Sequence, residues 1–140
     1  MNTEAWDRVH TVNKYYDGPE LGVADYRGIP HVYEKQFDTD QDDYSNRFLL
    51  SEIEPKLLSL ILEAWETWLR WDTAYRQGEV DVRTHPAMPE ERPRHEELAR
   101  LIGDRLRADA AHAVVKWARF RTADRWKLEV QWLDAPAETD

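Results

Sequence analysis

Residues 51–78 read SEIEPKLLSLILEAWETWLRWDTAYRQG, and this stretch predicts the one long helix around which the chain is organised. Ser51 and Glu54 have the spacing of a capping box, and Pro55 suits a first helical turn. Gly78 suits the left-handed residue just past a helix end. With residues placed about 100° apart, the apolar side chains cover an arc of roughly 200°. So wide an arc predicts a helix that lies across a sheet and is covered by more than one element.

One acidic residue interrupts this apolar arc. Asp72 falls between Trp65 and Trp68 in angle, where burial of an unpaired carboxylate is costly. An ion pair with Arg76, four residues further on, removes that cost. A buried pairing with an N-terminal side chain is a second interpretation. In the third, Asp72 is a pKa-shifted carboxylate in an aromatic-walled pocket and a candidate catalytic residue.

The length and composition predict one soluble domain. The chain has 140 residues and no cysteine, so disulfide frameworks, thiol catalysis and cysteine-based zinc sites are excluded. No segment approaches about 18 uninterrupted apolar residues, and the first residues do not resemble a signal peptide. We expect a single cytoplasmic domain over residues 1–140, with no membrane partner and a frayed tail at about 134–140.

The charge is strongly acidic and uneven. The net charge is −9, with twelve acids and five bases in residues 1–54 but three acids and eight bases in residues 100–127. An acidic total disfavours duplex nucleic acid and anionic membranes as partners. Seven tryptophans in so short a chain either fill the core or anchor a partner.

The N-terminal third predicts a meander of strands. Glycine-containing turns separate three segments rich in β-branched and aromatic residues, and a fourth short segment leads into the long helix. The expected strands are 9–16, 22–26, 29–37 and 46–50.

The C-terminal part predicts a second helix and a hairpin. Leucine and isoleucine form a narrow stripe along a helix at about 94–107. The hairpin strands are 113–121 and 126–133, and Trp126, Leu128, Val130 and Trp132 alternate with polar residues. We therefore predict an α+β fold. Its antiparallel sheet combines a three- to four-strand meander with the hairpin, and it is packed by one long helix (about 51–77) and the second helix.

The segment FDTDQDDYSN, residues 37–46, forms an acidic loop in this prediction. Asp38, Asp40 and Asp42 occupy the first, third and fifth places of a calcium-loop pattern. The pattern then fails, because Asp43 replaces the required glycine and Leu49 the bidentate glutamate. We predict no metal site, and interpret the loop as solvated or as docking to a basic partner.

No catalytic signature is present. The five histidines lack metal-ligand spacing, and the common phosphate-binding and nucleophile-elbow motifs are absent. We predict no cofactor. Asp72, His31 and Asp25, with His10 and Asp17, have side chains suited to acid–base work. A catalytic pocket would combine the first three with Trp68 and Tyr75.

Four tyrosines crowd YYDGPELGVADYRGIPHVYE, residues 15–34, and core packing or a binding surface would account for them. Together with WETWLRW, residues 65–71, this stretch resembles small acidic bacterial proteins that carry no assigned activity. The resemblance covers about the first 110 residues. It implies no function.

The C-terminal hairpin carries a basic strip. Trp117, Arg119 and Arg121 share one strand face, with Arg125 and Lys127 nearby, which is the composition of a platform for single-stranded nucleic acid. In the alternative interpretation, Trp117 packs in the sheet and the arginines pair with acids of the N-terminal half. The acidic total favours this alternative.

These observations predict a non-catalytic protein-binding protein, similar to an inhibitor, an immunity protein or a regulator. Its partner would present a basic surface to Asp38, Asp40, Asp42 and Asp43, with Trp68 and Tyr75 as aromatic contacts. One alternative is a small acid–base hydrolase with a pocket around Asp72. A further alternative is binding of single-stranded nucleic acid by the hairpin. The sequence predicts no oligomeric state.

Overall fold

The computed structural model describes residues 5–38 and 43–134. These residues form six β-strands, two α-helices and three short 3-10 helices. The strands are β1 (Asp7–Tyr15), β2 (Pro19–Tyr26), β3 (Ile29–Asp38), β4 (Asp43–Glu52), β5 (Val114–Asp124) and β6 (Lys127–Asp134). The helices are α1 (Pro55–Arg76) and α2 (Arg92–Ile102).

The chain divides into two compact units. The barrel unit comprises residues 1–53 and 107–140 and holds all six strands, and the helical unit comprises residues 54–106. The helical unit is therefore an insertion between β4 and β5. The prediction of a single domain stays a prediction.

The six strands form a closed antiparallel barrel in the order β1-β2-β3-β4-β5-β6. β4 and β5 pair directly, with Leu50 opposite Val114, although the whole helical unit separates them in sequence. The barrel is closed between β1 and β6, where Asp7 pairs with Val130 and Arg8 with Glu129. The prediction of an open sheet packed by one long helix is therefore wrong.

Aromatic side chains from four strands fill the interior of the barrel. Tyr33, Phe48, Phe120 and Trp132 form a cluster in which all ring pairs have centroids 5.8–6.1 Å apart. Such separations give favourable tilted and edge-to-face contacts. A barrel of few strands is narrow enough for its own side chains to fill. Closure of the barrel therefore buries the inner face of the sheet, and no helix is needed to cover it.

A glycine on β2 lets the cluster reach across the sheet. Tyr33 lies opposite Gly22, and its hydroxyl donates a hydrogen bond of 2.8 Å to the Thr11 carbonyl oxygen on β1. A Cβ atom at Gly22 would lie 2.2 Å from that oxygen and 2.7 Å from the tyrosine hydroxyl. The missing side chain therefore leaves the space through which β3 bonds to β1. Burial also raises the pKa of Tyr33, so the hydroxyl keeps its proton.

The helical unit contains the predicted long helix and a shorter second helix. An ion pair of 2.7 Å joins Arg94 of α2 to Glu63 of α1, and Arg70 of α1 pairs with Glu91, the residue before α2. Leu98 of α2 is fully buried. None of the described helices is long and apolar enough to cross a membrane.

The helix ends differ in part from the prediction. Pro55 is the first residue of α1, and Gly78 has a φ of 77°, both as expected. The capping box is wrong, because Ser51 belongs to β4 and its Oγ accepts a hydrogen bond of 2.9 Å from the backbone N–H of Asp109. Helix α2 ends at Ile102, earlier than predicted, because Gly103 takes a φ of 55°.

Replacement of Gly22 tests the interior packing. We expect Gly22→Ala to lower the free energy of unfolding by about 3 kcal/mol, because the new methyl group collides with two polar atoms and breaks a buried hydrogen bond. Tyr33→Phe should cost about 1–2 kcal/mol, since it removes only that bond. The measurement is urea unfolding followed by circular dichroism.

Gly28→Ala serves as the control. A Cβ atom at Gly28 meets nothing within 4 Å, although its φ of 77° is unfavourable for alanine. We expect a loss of about 1 kcal/mol from backbone strain alone. Equal losses in Gly22→Ala and Gly28→Ala would contradict the packing argument.

Candidate functional site

Three hairpin connections lie at the same end of the barrel. Neighbouring strands are antiparallel, so the β1–β2, β3–β4 and β5–β6 connections share one end. We define the hairpin end by the sequence ranges of these connections, 14–18, 37–44 and 123–127, of which residues 39–42 lie outside the described residues. Connections on a rigid scaffold are common places for binding residues.

Large aromatic side chains are exposed at the hairpin end. The exposed fractions are 61% for Tyr15, 74% for Tyr16 and 49% for Phe37. Tyr15 makes an edge-on contact with Trp126 of the β5–β6 hairpin, with ring centroids 6.2 Å apart. Exposed aromatic groups that come together on a scaffold are typical of interaction surfaces.

A groove of about 480 Å³ continues this surface along the barrel wall. Only Asp7 and Arg8 of β1 pair with β6, and the two strands separate toward the hairpin end. Val9, Trp126 and Leu128 supply the apolar lining of the groove. The hairpin end therefore combines exposed aromatics with a recess large enough for an anchoring side chain.

A hydrogen-bonded histidine lies beside this groove. His10 lines it, and its Nε2 lies 2.8 Å from Oδ1 of Asp25. The structure thus brings together two of the acid–base residues named from the sequence. A histidine held by a carboxylate can act as a general base. However, none of the residues that line the groove has a hydroxyl or thiol group to serve as a nucleophile.

Burial and the negative charge of Asp25 raise the pKa of the nearby Asp7 carboxyl. His31 has different contacts from His10. Its Nδ1 lies 2.7 Å from the Ile29 carbonyl oxygen, and its ring packs edge-on against Tyr26. These contacts give His31 a clear structural role in the barrel.

The acidic residues predicted for partner binding are only partly described. Asp38 and Asp43 pair at the end of the β3–β4 ladder. Asp40 and Asp42 lie outside the described residues. In sequence, the hairpin end carries six acidic and three basic residues, so its formal charge is −3.

The remaining predicted site residues belong to the helical unit. Asp72 is buried and accepts a hydrogen bond of 3.1 Å from Nε of Arg76. Trp68 stacks on Trp65, and Tyr75 stacks on Trp71. His31 and Asp25 belong instead to the barrel unit. The catalytic assignment of Asp72, His31 and Asp25 stays a prediction.

Cross-strand contacts engage three basic residues of the C-terminal hairpin, Lys116, Arg119 and Arg121. Arg121 bonds to Glu129 at 2.9 Å and lies over the Trp6 ring at 4.1 Å. Arg119 donates to Gln131, and Lys116 bonds to Asp134 at 2.7 Å. These partners lie mainly on the neighbouring strand β6. Nucleic-acid phosphates would have to compete with them.

Among the described side chains, no group of three or more His, Asp or Glu residues could hold a metal ion. No family model, curated protein or solved structure matches this chain.

The sequence signal for the hairpin end is the group of crowded tyrosines in residues 15–34. Core packing was one explanation for the crowded tyrosines, and it holds for the fully buried Tyr33. Tyr15 and Tyr16 directly precede the turn at Asp17 and Gly18, and turn positions are exposed. Adjacent residues in a strand also point to opposite faces, so two adjacent tyrosines could not share one core face.

If the exposed tyrosines serve binding, their removal should leave the fold intact. We expect Tyr16→Ser to change the free energy of unfolding by less than about 0.5 kcal/mol, as is usual for exposed positions. Tyr15→Ser should cost no more than about 1 kcal/mol, because it loses one aromatic contact. Urea unfolding measures both. A loss above about 2 kcal/mol in Tyr16→Ser would show that this residue stabilises the barrel.

The raised pKa of Asp7 predicts a pH dependence of stability. The folded state holds this proton more tightly than the unfolded state, so its contribution is fully present at low pH. It is lost as the pH rises through the folded-state pKa. Asp7→Asn removes this titration. We therefore expect the stability of Asp7→Asn relative to wild type to increase between about pH 3 and pH 6. Urea unfolding across this range measures the difference, and a constant difference would contradict it.

Proposed function

We propose that this chain is a non-catalytic protein-binding protein whose hairpin end docks onto a basic surface of a protein partner. The observation that carries this proposal is the exposure of Tyr15, Tyr16 and Phe37 at the hairpin end, where Tyr15 contacts Trp126 of the groove. A surface of this composition resembles the centre of a protein interface, where tyrosine and tryptophan dominate the binding energy.

The charge of the hairpin end supports a basic partner. Six acidic residues against three basic ones give an electrostatic preference for a positive surface. Such charges mainly accelerate association and select the partner, while the aromatic side chains supply affinity. This division predicts an interaction that weakens at high salt but keeps an apolar component.

The aromatic contacts proposed here differ from Trp68 and Tyr75, the two that the sequence predicts. Trp68 and Tyr75 stack on neighbouring tryptophans within α1, whereas Tyr16 is the most exposed of the three hairpin-end aromatics. We therefore assign the aromatic contacts to the hairpin end. The proposal keeps the expected cytoplasmic setting, in which a chain without cysteine needs no oxidising environment.

Site-specific photo-crosslinking tests this proposal. A crosslinking phenylalanine analogue at position 16 is compared with the same analogue at Val82, which is 62% exposed in the helical unit. The captured protein is then purified and its affinity for the wild-type chain is measured directly. We expect crosslinks from position 16 alone, and a dissociation constant that rises at least about tenfold between about 50 mM and 500 mM salt.

Variants identify the contact surface. Tyr15→Ser combined with Tyr16→Ser should weaken binding to the purified partner by about thirtyfold or more, which is typical of hot-spot residues. Val82→Ser is the matched control and should bind like wild type. Equal crosslinking from both positions, or unchanged binding by the double tyrosine variant, would contradict docking through the hairpin end.

A further inference from the structure

A polar cavity of about 490 Å³ lies in the barrel unit, separate from the β1–β6 groove. The ladder between β2 and β3 begins at Leu21 opposite Glu34, so Glu20 lies just beyond this ladder, although β2 still pairs with β1 at Leu21 and Pro19. Charged residues dominate the lining of the cavity: Lys14, Glu20, Glu34, Lys35 and Arg107. A volume of this size is within the usual range for small-molecule sites, about 300–1,000 Å³.

The two carboxylates of this cavity differ in their contacts. Glu34 accepts a hydrogen bond of 2.9 Å from the backbone N–H of Ala108, and its other oxygen lies 3.2 Å from Nε of Arg107. Glu20 is only 8% exposed, and its Oε1 is buried without a hydrogen-bond partner. A buried carboxylate oxygen without a donor is costly to the folded state. Oε1 of Glu20 therefore has no hydrogen-bond donor among the described residues.

The cations of the cavity need the opposite kind of group. Arg107 is paired with Glu34. The ammonium group of Lys35 lies 5.9 Å from the centroid of the Phe48 ring, and Lys14 is exposed. Neither lysine forms an ion pair with a carboxylate whose side chain the structure describes. With Arg107 and Glu34 neutralising each other, two positive charges and one negative charge remain to meet a ligand.

We propose that this cavity binds a small acidic amino acid, whose ammonium group meets Glu20 and whose two carboxylates meet Lys14 and Lys35. A ligand with two negative groups and one positive group matches the charges that the cavity leaves uncompensated. The ammonium supplies the donor that Glu20 lacks, and the lysines supply charge-assisted hydrogen bonds to the carboxylates. Phe37, Leu21 and Leu49 give the cavity apolar walls.

Lys14 and Phe37 belong both to the hairpin end and to the lining of this cavity, but a free small molecule can fill the cavity without a protein partner. Tyr16 does not line the cavity. Tyr16→Ser should therefore bind the amino acid like wild type while losing the protein partner. The failure of one proposal is thus distinguishable from the failure of the other.

Isothermal titration calorimetry with L-glutamate and L-aspartate tests the ligand class. We expect a dissociation constant of about 1 mM or tighter for one of them. Glutarate lacks the ammonium group, and 1,4-diaminobutane lacks the carboxylates. Each should bind at least about tenfold more weakly than the amino acid. The proposal is overturned if neither amino acid binds at about 10 mM. It is also overturned if glutarate, the diamine or glucose binds as tightly as the amino acid.

Glu20→Gln tests the role assigned to the buried carboxylate. We expect it to weaken amino-acid binding by about tenfold or more. Without ligand, its melting temperature should equal or exceed that of wild type, because an uncompensated buried charge has been removed. If Glu20 instead stabilises the fold, Glu20→Gln should have a lower melting temperature than wild type, and this result would overturn the proposal.

Two further variants complete the test. Lys14→Met changes an exposed residue, so it should fold normally and weaken binding of the amino acid by at least about tenfold. Glu66→Gln removes an exposed carboxylate from the helical unit and should leave binding unchanged. Wild-type affinity in Lys14→Met, or a loss in Glu66→Gln equal to that in Glu20→Gln, would contradict the assignment.

Discussion

The barrel depends on a contact that only a glycine permits. Tyr33 passes over Gly22 and bonds to the Thr11 carbonyl oxygen, so three consecutive strands are joined by one side chain as well as by their ladders. The same tyrosine ring belongs to the aromatic cluster with Phe48, Phe120 and Trp132. A single position on β3 thus connects β1 with strands on the opposite side of the barrel. Native packing density leaves little tolerance for change at such a position.

The filled interior of the barrel restricts the places where another molecule could bind. Four large rings occupy its centre, so the two sites proposed for binding lie at its end and in its wall. Exposed aromatic side chains lie where the hairpins turn, and a charged cavity opens beyond the end of the β2–β3 ladder. Both features combine a rigid ladder with a local departure from regular pairing. Proteins commonly place function where loops and irregular backbone meet a rigid scaffold.

Local sequence patterns predicted the elements but not their closure. Alternation in Leu128, Val130 and Trp132 predicts the inward face of β6, and Pro55 marks the start of α1. The pairing of Arg8 with Glu129 leaves no local signal, because it joins residues far apart in sequence. The sequence does not identify Glu20 as a strand residue, because its pattern predicts that the second strand begins at Gly22. A strand that begins at Pro19 places Glu20 on the same face as Gly22 and Ala24.

The insertion of the helical unit between β4 and β5 has a consequence for the order of assembly during synthesis. The ribosome releases β1 to β4 first, and β4 then waits for its partner until the helices and β5 have emerged. During this interval the outer edges of β1 and β4 are unpaired. Unpaired strand edges recruit other chains, and contacts between distant residues form slowly. We expect the nascent four-strand sheet to be the species most prone to aggregation, and chaperones that shield strand edges to raise the yield of folded protein.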